Sequence, residues 1–326
     1  MGYVVDAALV EPITRGLLGA IDVGDGPTAE QQAILWSVVS HLWGRGDLKA
    51  LGLDPLDPSG LASIVVDEHA RRQFHLILVT LELSRHPFSP DQVDRAEAYA
   101  AALDLHGSDL EICRDWIDAG AQAAMADWTR CFGSMVARNE EPSLRRAGTA
   151  ADGDAWAPQP EDLDLMARID ELHELAPGSL GRAYVDFYVR NGIDVPGSKG
   201  DMTMNAVAVS HDMNHVIAGY EPTGQGEIAL GAFQMAMDDS EENLVSFLGN
   251  LLIHEAGVLD PGGFAPKAGT LLRPGAIELL GEAFERGAAC RKDFSHADHF
   301  ALASWSLEDV REEFGVVPVT VESPGI

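Results

Sequence analysis

The sequence is poor in cysteine and in aromatic residues. Its three cysteines, Cys113, Cys131 and Cys290, are odd in number and form no CxxC pair. That pattern predicts neither a disulfide framework nor a cysteine-based zinc site. Aromatic residues make up only 7% of the chain, so the core is expected to consist mainly of Ala, Leu, Val and Ile, a composition that favours helices. No run of about 18 apolar residues is present, which excludes a transmembrane helix.

Positive charge is also scarce. Lysine and arginine number 22 against 52 acidic residues, a net charge of −30. Such a field repels phosphate backbones and anionic membrane surfaces. The longest basic clusters are only pairs, at Arg71-Arg72, Arg145-Arg146 and Arg291-Lys292, so we predict no nucleic-acid binding. Acidic residues at Asp6 and Glu11, with no basic segment before them, predict no signal peptide and a cytoplasmic location.

Strand-like alternation is nearly absent, and helix signals dominate, so the predicted fold class is all-α. A length of 326 residues favours two domains. The stretch from Asn139 to Pro160 is rich in glycine, proline and charge and has little apolar periodicity. We therefore predict a helical module over 1–140, a linker over 141–160 and a second helical domain over 161–326.

Four helix predictions bear on the candidate site or on its packing. The apolar pattern predicts a largely buried helix over Leu61–Arg85. In the second domain a helix is expected from about Thr203 to Tyr220, and Glu227 is expected to start the next one. A final helix is predicted over Ser295–Phe314.

The most informative motif is the pentapeptide His211-Asp212-Met213-Asn214-His215, followed after eleven residues by Glu227. Histidines four apart share one face of a helix. The turn-rich run 221–226 can fold the chain back, so that a carboxylate from the next helix meets both rings. Two imidazole nitrogens and one or two carboxylates predict a site for zinc or a similar divalent ion.

Asp212 and His254 are the candidate catalytic residues. Adjacent helical side chains diverge by roughly 100°, so Asp212 either ligates the ion or orients a ligand; we rank it below His211, His215 and Glu227 as a ligand. His254 follows an apolar helical stretch and either lines the site or simply ends a core helix.

Three other interpretations of the motif are possible. HExxH proteases place a glutamate between their histidines, whereas Asp212 is one methylene shorter. An HD-type phosphohydrolase needs further ligands, which His254, His296 and His299 could supply, but the negative field disfavours anionic substrates. A purely structural metal is the third, although closed structural sites usually use cysteine.

Three blocks together resemble the coenzyme Q biosynthesis protein 4 family. They are Leu180–Phe187 (LGRAYVDF), the metal motif through Gly226–Leu230, and Trp305–Val316 (WSLEDVREEFGV). The resemblance covers roughly Pro177 to Pro318. The family's mark is HDxxH, eleven residues and then Glu. The resemblance therefore implies that His211, Asp212, His215 and Glu227 surround a zinc ion.

The resemblance implies a part in making a quinone or a related prenylated aromatic. One implied activity is metal-assisted removal of a ring carboxyl group, with a small aromatic or prenylated substrate. The alternative is a non-catalytic lipid-binding scaffold that organises biosynthetic enzymes. A looser resemblance links Leu78–Asp104 to tellurite-resistance-B-like helical domains. Three features depart from the coenzyme Q family: the extra N-terminal module, the strong acidity, and a short segment with glycine and proline between Asn191 and His211. These departures leave the substrate open. The sequence does not decide whether the chain forms a homo-oligomer.

Overall fold

The computed structural model describes residues 5–106, 111–120, 122–124, 126, 128, 161–198, 205–258 and 267–321. The predicted fold class is confirmed, because all regular secondary structure in these ranges is helical. Within the same ranges, no helix is both long and apolar enough to cross a membrane. The predicted linker, 141–160, lies outside the described residues.

The N-terminal half consists of helices joined by short turns. Their bounds are α1 Ala7–Ile21, α2 Ala29–Ser37, α3 Pro58–Ile64, α4 Glu68–Leu83, α5 Pro90–Ala102 and α6 Glu111–Ala119. A π-helical turn, Val38–Leu42, continues α2. Thr28 starts α2 with a capping box, since its hydroxyl accepts from Gln31 N–H while the Gln31 side chain accepts from Thr28 N–H.

The C-terminal half carries the predicted site. Its helices are α7 Leu163–Glu171, α8 Leu180–Asn191, α9 Asn205–Ala218, α10 Gly224–Met237, α11 Glu241–His254, α12 Ala276–Ala288, α13 His299–Leu302 and α14 Leu307–Phe314. A 3₁₀ turn, Thr270–Leu272, precedes α12. Helix α10 is buried along nearly its whole length and packs between α11 and α12.

Glycines allow α10 to lie very close to its neighbours. A Cβ atom added at Gly287 of α12 would lie 2.1 Å from the Phe233 carbonyl oxygen. One added at Gly231 of α10 would lie 2.9 Å from Phe247 Cα on α11. Larger residues at these two positions would push the helices apart, so the small residues determine the spacing around the helix that carries Glu227.

The two halves of the chain share an interface. Helix α2 and the π-helical turn pack on α12, and α4 packs on α11. The buried apolar side chains of both halves belong to one hydrophobic cluster. The division into two domains stays a prediction, but the described helices of the two halves are in direct contact.

Two of the predicted helices are interrupted. The predicted Leu61–Arg85 helix is broken after Ile64, because Asp67 caps a new helix by accepting from Ala70 N–H. The predicted Ser295–Phe314 helix is two short helices, because Asp298 and Ser306 each cap a separate start. In both regions a capping side chain satisfies backbone N–H groups and starts a new helix within an apolar pattern.

Candidate metal centre

Three predicted ligand atoms meet at one point. On α9 the rings of His211 and His215 lie one turn apart, with their Nε2 atoms 3.1 Å from each other. Glu227 Oε2 lies 3.0 Å from His211 Nε2 and 3.2 Å from His215 Nε2. Helix α10 begins at Gly224 rather than at Glu227, because Thr223 caps it. That earlier start places the carboxylate in the first turn, facing α9.

Hydrogen bonding orients the His215 ring toward this point. Its Nδ1 lies 3.1 Å from the Tyr220 carbonyl oxygen, which can only accept, so Nδ1 carries the hydrogen. In the neutral ring, Nε2 is then left with a lone pair directed at His211 and Glu227. A backbone carbonyl on the far nitrogen is one of the usual outer partners of a metal-binding histidine. Phe187 of α8 stacks on the ring, with the two centroids 5.8 Å apart.

The three atoms fit a divalent ion. Around tetrahedral zinc with bonds of ~2.0–2.1 Å, neighbouring ligand atoms lie roughly 3.3 Å apart. The spacings of 3.0, 3.1 and 3.2 Å are close to that edge length. Two imidazoles and one carboxylate are also a donor set that zinc accepts. His211, His215 and Glu227 can therefore hold a metal ion, and their role as ligands stays a prediction.

The charges of the three residues depend strongly on one another. Burial lowers the pKa of His211, but the neighbouring Glu227 carboxylate outweighs it and raises that pKa to about 9. Burial also raises the pKa of Glu227, yet the two histidines reverse this effect and hold it well below its usual range. A carboxylate that stays ionised in a buried position requires a cation close by, which here is a proton on histidine or a metal ion.

Asp212 faces a different partner. Its carboxylate accepts a hydrogen bond from the Tyr188 hydroxyl of α8, and it is not among the ligand atoms that converge. Burial raises the pKa of Asp212, and both histidines and the Tyr188 bond oppose that shift. The carboxyl group therefore lies beside the three-atom group and is held by a tyrosine that the sequence analysis did not assign a role. As a ligand, Asp212 stays a prediction.

His254 is the last residue of α11 and is buried. Burial lowers its pKa, while the charge of Glu227 acts in the opposite direction. A Cβ atom on Gly224 would lie 3.4 Å from His254 Nδ1, which places this ring against the first turn of α10. Gly224 and Glu227 are three residues apart and share a helix face. The structure thus puts His254 near the candidate site, and its catalytic role stays a prediction.

Two arginines that the sequence analysis gave no role bind the end of α9. Arg311 of α14 donates to the carbonyl oxygens of Ile217 and Val216, both at 2.9 Å. Arg286 of α12 donates to the Ala218 carbonyl oxygen at 2.5 Å. These carbonyls have no partner within the helix, and cations at a helix C-terminus are favourable. Arg311 was visible within the third family block, whereas Arg286 gave no sequence signal.

We expect Arg311→Met to lower the free energy of unfolding by about 2–3 kcal/mol, because the last carbonyls of α9 lose a charged donor while the apolar stem is kept. Chemical denaturation measures the change. Arg273→Met is the matched control, since Arg273 is exposed, and its effect should stay within about 0.5 kcal/mol. Equal effects of the two substitutions would contradict a capping role for Arg311.

The histidines required by a phosphohydrolase do not all converge on the site. His299 is buried, and its Nε2 lies 2.9 Å from Asn214 Oδ1. The Asn214 amide donates to the Ser295 carbonyl oxygen at 3.3 Å. Burial lowers the pKa of His299 to about 4, so the ring is neutral near pH 7. Asn214 within the motif and His299 therefore join α9 to the segment around α13 rather than add ligands.

The comparison with known proteins does not assign this chain to a family. No protein-family model matches the chain. No curated protein matches it either. One solved structure that is similar to it is a protein from Nostoc punctiforme, provisionally named a ubiquinone biosynthesis protein, at 17% identity and a TM-score of 0.33. The match covers 74% of this chain and 96% of that chain. Neither the identity nor the TM-score is high enough to support an argument about this chain.

Proposed function

We propose that this chain is a divalent-metal enzyme, with zinc as the expected ion, that acts on an aromatic or quinoid acid. The observation that carries the proposal is the meeting of His211 Nε2, His215 Nε2 and Glu227 Oε2 at 3.0–3.2 Å. Three protein ligands leave a further coordination position open, which is typical of catalytic zinc sites. The substrate class follows from the motif resemblance, which points to quinone or related prenylated aromatic biosynthesis.

The reaction proposed is loss of a ring carboxyl group. When bound, the ion supplies Lewis acidity toward a carboxylate or phenolate oxygen of the substrate. The bond between the ring carbon and the carboxyl carbon breaks, carbon dioxide leaves, and the ring carbon takes up a proton. The hydrogen-bonded pair Asp212 and Tyr188 lies beside the proposed ligands, and we assign it to hold that proton and deliver it to the ring carbon. His254, buried against the first turn of α10, is the second candidate for proton transfer.

Differences in exposure favour one side for substrate entry. The His211 side chain is 29% exposed, whereas those of Glu227 and His215 are 10% and 0% exposed. His215 is covered by Phe187, and the Glu227 backbone carbonyl accepts from the Asn250 amide of α11 at 2.9 Å. We therefore propose that a substrate reaches the site from the His211 side.

The test is turnover of carboxylated phenols by zinc-loaded protein, read as carbon dioxide release. His215→Ala is expected to lose both bound zinc and turnover. Tyr188→Phe should keep its zinc, because Tyr188 contacts Asp212 and not the converging atoms, and its turnover should fall by about a hundredfold. Zinc content of each variant is measured on the same samples, which separates loss of metal from loss of proton transfer.

Two results would contradict the enzyme proposal. One is the absence of carbon dioxide release from every carboxylated phenol tested, and the other is equal release by the wild type and His215→Ala. Either result would favour the alternative, a scaffold whose zinc organises the fold. Mass spectrometry of lipids that co-purify with the protein would then identify what the scaffold holds.

A further inference from the structure

Glu30, His86 and Glu255 form a second group of potential metal ligands. Glu30 lies in the first turn of α2, His86 lies between α4 and α5, and Glu255 follows α11 directly. One ligand atom from each residue can be chosen so that all three lie within 4.8 Å of one another. We propose that this group is a second divalent-metal site, which ties the N-terminal helices to the C-terminal half.

The donor atoms lie close together. His86 Nε2 lies 3.2 Å from Glu255 Oε1 and 3.9 Å from Glu30 Oε1. The side chains of His86 and Glu30 are only 18% and 13% exposed, and that of Glu255 is fully buried. An imidazole and two carboxylates at these separations form a donor set for zinc and similar divalent ions.

The hydrogen bonding of Glu255 leaves one carboxylate oxygen available to a cation. Its Oε2 accepts from Leu271 N–H at 2.7 Å, which fixes the carboxylate and directs Oε1 toward His86. Among the described residues, neither Glu255 Oε1 nor either ring nitrogen of His86 has a partner in hydrogen-bond geometry. A fully buried carboxylate oxygen without a hydrogen bond is costly, and a bound cation would remove that cost.

The simpler interpretation is an ion pair between protonated His86 and Glu255. The 3.2 Å contact satisfies the distance for such a pair, but it lacks hydrogen-bond geometry, and a second carboxylate, Glu30, faces the same ring. A single proton serves two carboxylates poorly, whereas a divalent ion neutralises both. The two interpretations differ in metal content, which can be measured.

The proposed site has a structural consequence. Glu30 and His86 belong to the N-terminal half and Glu255 to the C-terminal half, at the interface where α4 meets α11 and α2 meets the Thr270–Leu272 turn. An ion shared by the three would resist separation of the halves. Glu255 also follows His254, whose ring lies against the first turn of α10, so the end of α11 adjoins both groups. The two groups share no residue, so each can be disrupted without replacing a proposed ligand of the other.

The experiment counts zinc in the full-length chain after chelator treatment, reloading and removal of excess metal. Wild type is expected to hold two equivalents and Glu227→Gln one. The double variant Glu227→Gln with His86→Ala should hold none, and its zinc affinity should be at least about a hundredfold weaker than that of Glu227→Gln. Zinc should raise the melting temperature of Glu227→Gln but not that of the double variant.

His41→Ala in the Glu227→Gln background is the matched control. His41 pairs with one carboxylate, Glu285, at 2.6 Å, and no second acid joins them in a potential metal group among the described residues. This control should retain one equivalent of zinc. Glu30→Gln replaces His86→Ala if the latter does not fold, as judged by circular dichroism. The proposal is overturned if Glu227→Gln holds no zinc. It is also overturned if the double variant, made with either His86→Ala or Glu30→Gln, still holds one equivalent of zinc.

Discussion

Glu227→Gln is expected to weaken zinc binding at the candidate centre by more than about a hundredfold, while Asp212→Asn weakens it by only about tenfold. Glu227 Oε2 lies within 3.2 Å of both imidazole nitrogens, so its charge acts directly on the bound cation. Asp212 instead accepts from Tyr188 and influences the centre from beside it. Both substitutions replace a carboxylate by an amide of nearly the same shape, so they remove the negative charge with little change in packing.

The measurement is competition for zinc with a coloured chelator, carried out in the His86→Ala background so that the proposed second site makes no contribution. Glu313→Gln serves as the control, because Glu313 pairs with exposed Lys292 far along the chain from either group. Its zinc affinity should not change. A larger loss for Asp212→Asn than for Glu227→Gln would show that our ranking of the ligands is wrong.

Gly226→Ala is expected to lower the free energy of unfolding by about 3 kcal/mol and to weaken zinc binding as well. A Cβ atom at Gly226 would lie 1.9 Å from the Glu221 carbonyl oxygen. Moving that oxygen away would break a hydrogen bond, because it accepts from Thr223 N–H at 2.8 Å. The Glu221 side chain is also bound by Arg190 and by Asn191, each at 2.9 Å. The first turn of α10 must shift instead, and it carries Glu227.

Urea denaturation of the metal-free protein measures the free energy of unfolding. Zinc titration of the folded variant measures the loss of affinity that follows from moving Glu227. Gly52→Ala is the matched control, because a Cβ atom there meets nothing within 4 Å. The control should change stability by no more than about 0.5 kcal/mol. Unaltered stability of Gly226→Ala would mean that the turn adapts without moving the helix.

Local sequence patterns were sufficient for the fold class and for the main features of the site. Sparse aromatics and nearly absent strand alternation predicted helices, and the regular secondary structure of the described residues is helical. The spacing of His211 and His215 on a helix, with a turn before Glu227, predicted that these three would meet. Such inferences succeed because helical periodicity and turn chemistry act over a few residues.

Other features depended on residues distant in sequence. Helix breaks after Ile64 and before Leu307 were missed, because each depends on a single capping side chain within an apolar pattern. Tyr188, which contacts Asp212, lies on α8, and Arg286, which binds the end of α9, lies on α12. No residue spacing in the sequence predicts either contact.

By itself the sequence determined the helical class, the strong negative charge, and a pair of histidines on one helix face. It also indicated that a carboxylate from the next helix would meet them. Only the tertiary structure decided which carboxylate oxygen meets the rings, which partner holds Asp212, and that Glu30, His86 and Glu255 come together. Glu30 and His86 are 56 residues apart along the chain, and His86 and Glu255 are 169 residues apart. Contacts over such distances arise from packing of whole helices, which local periodicity does not encode.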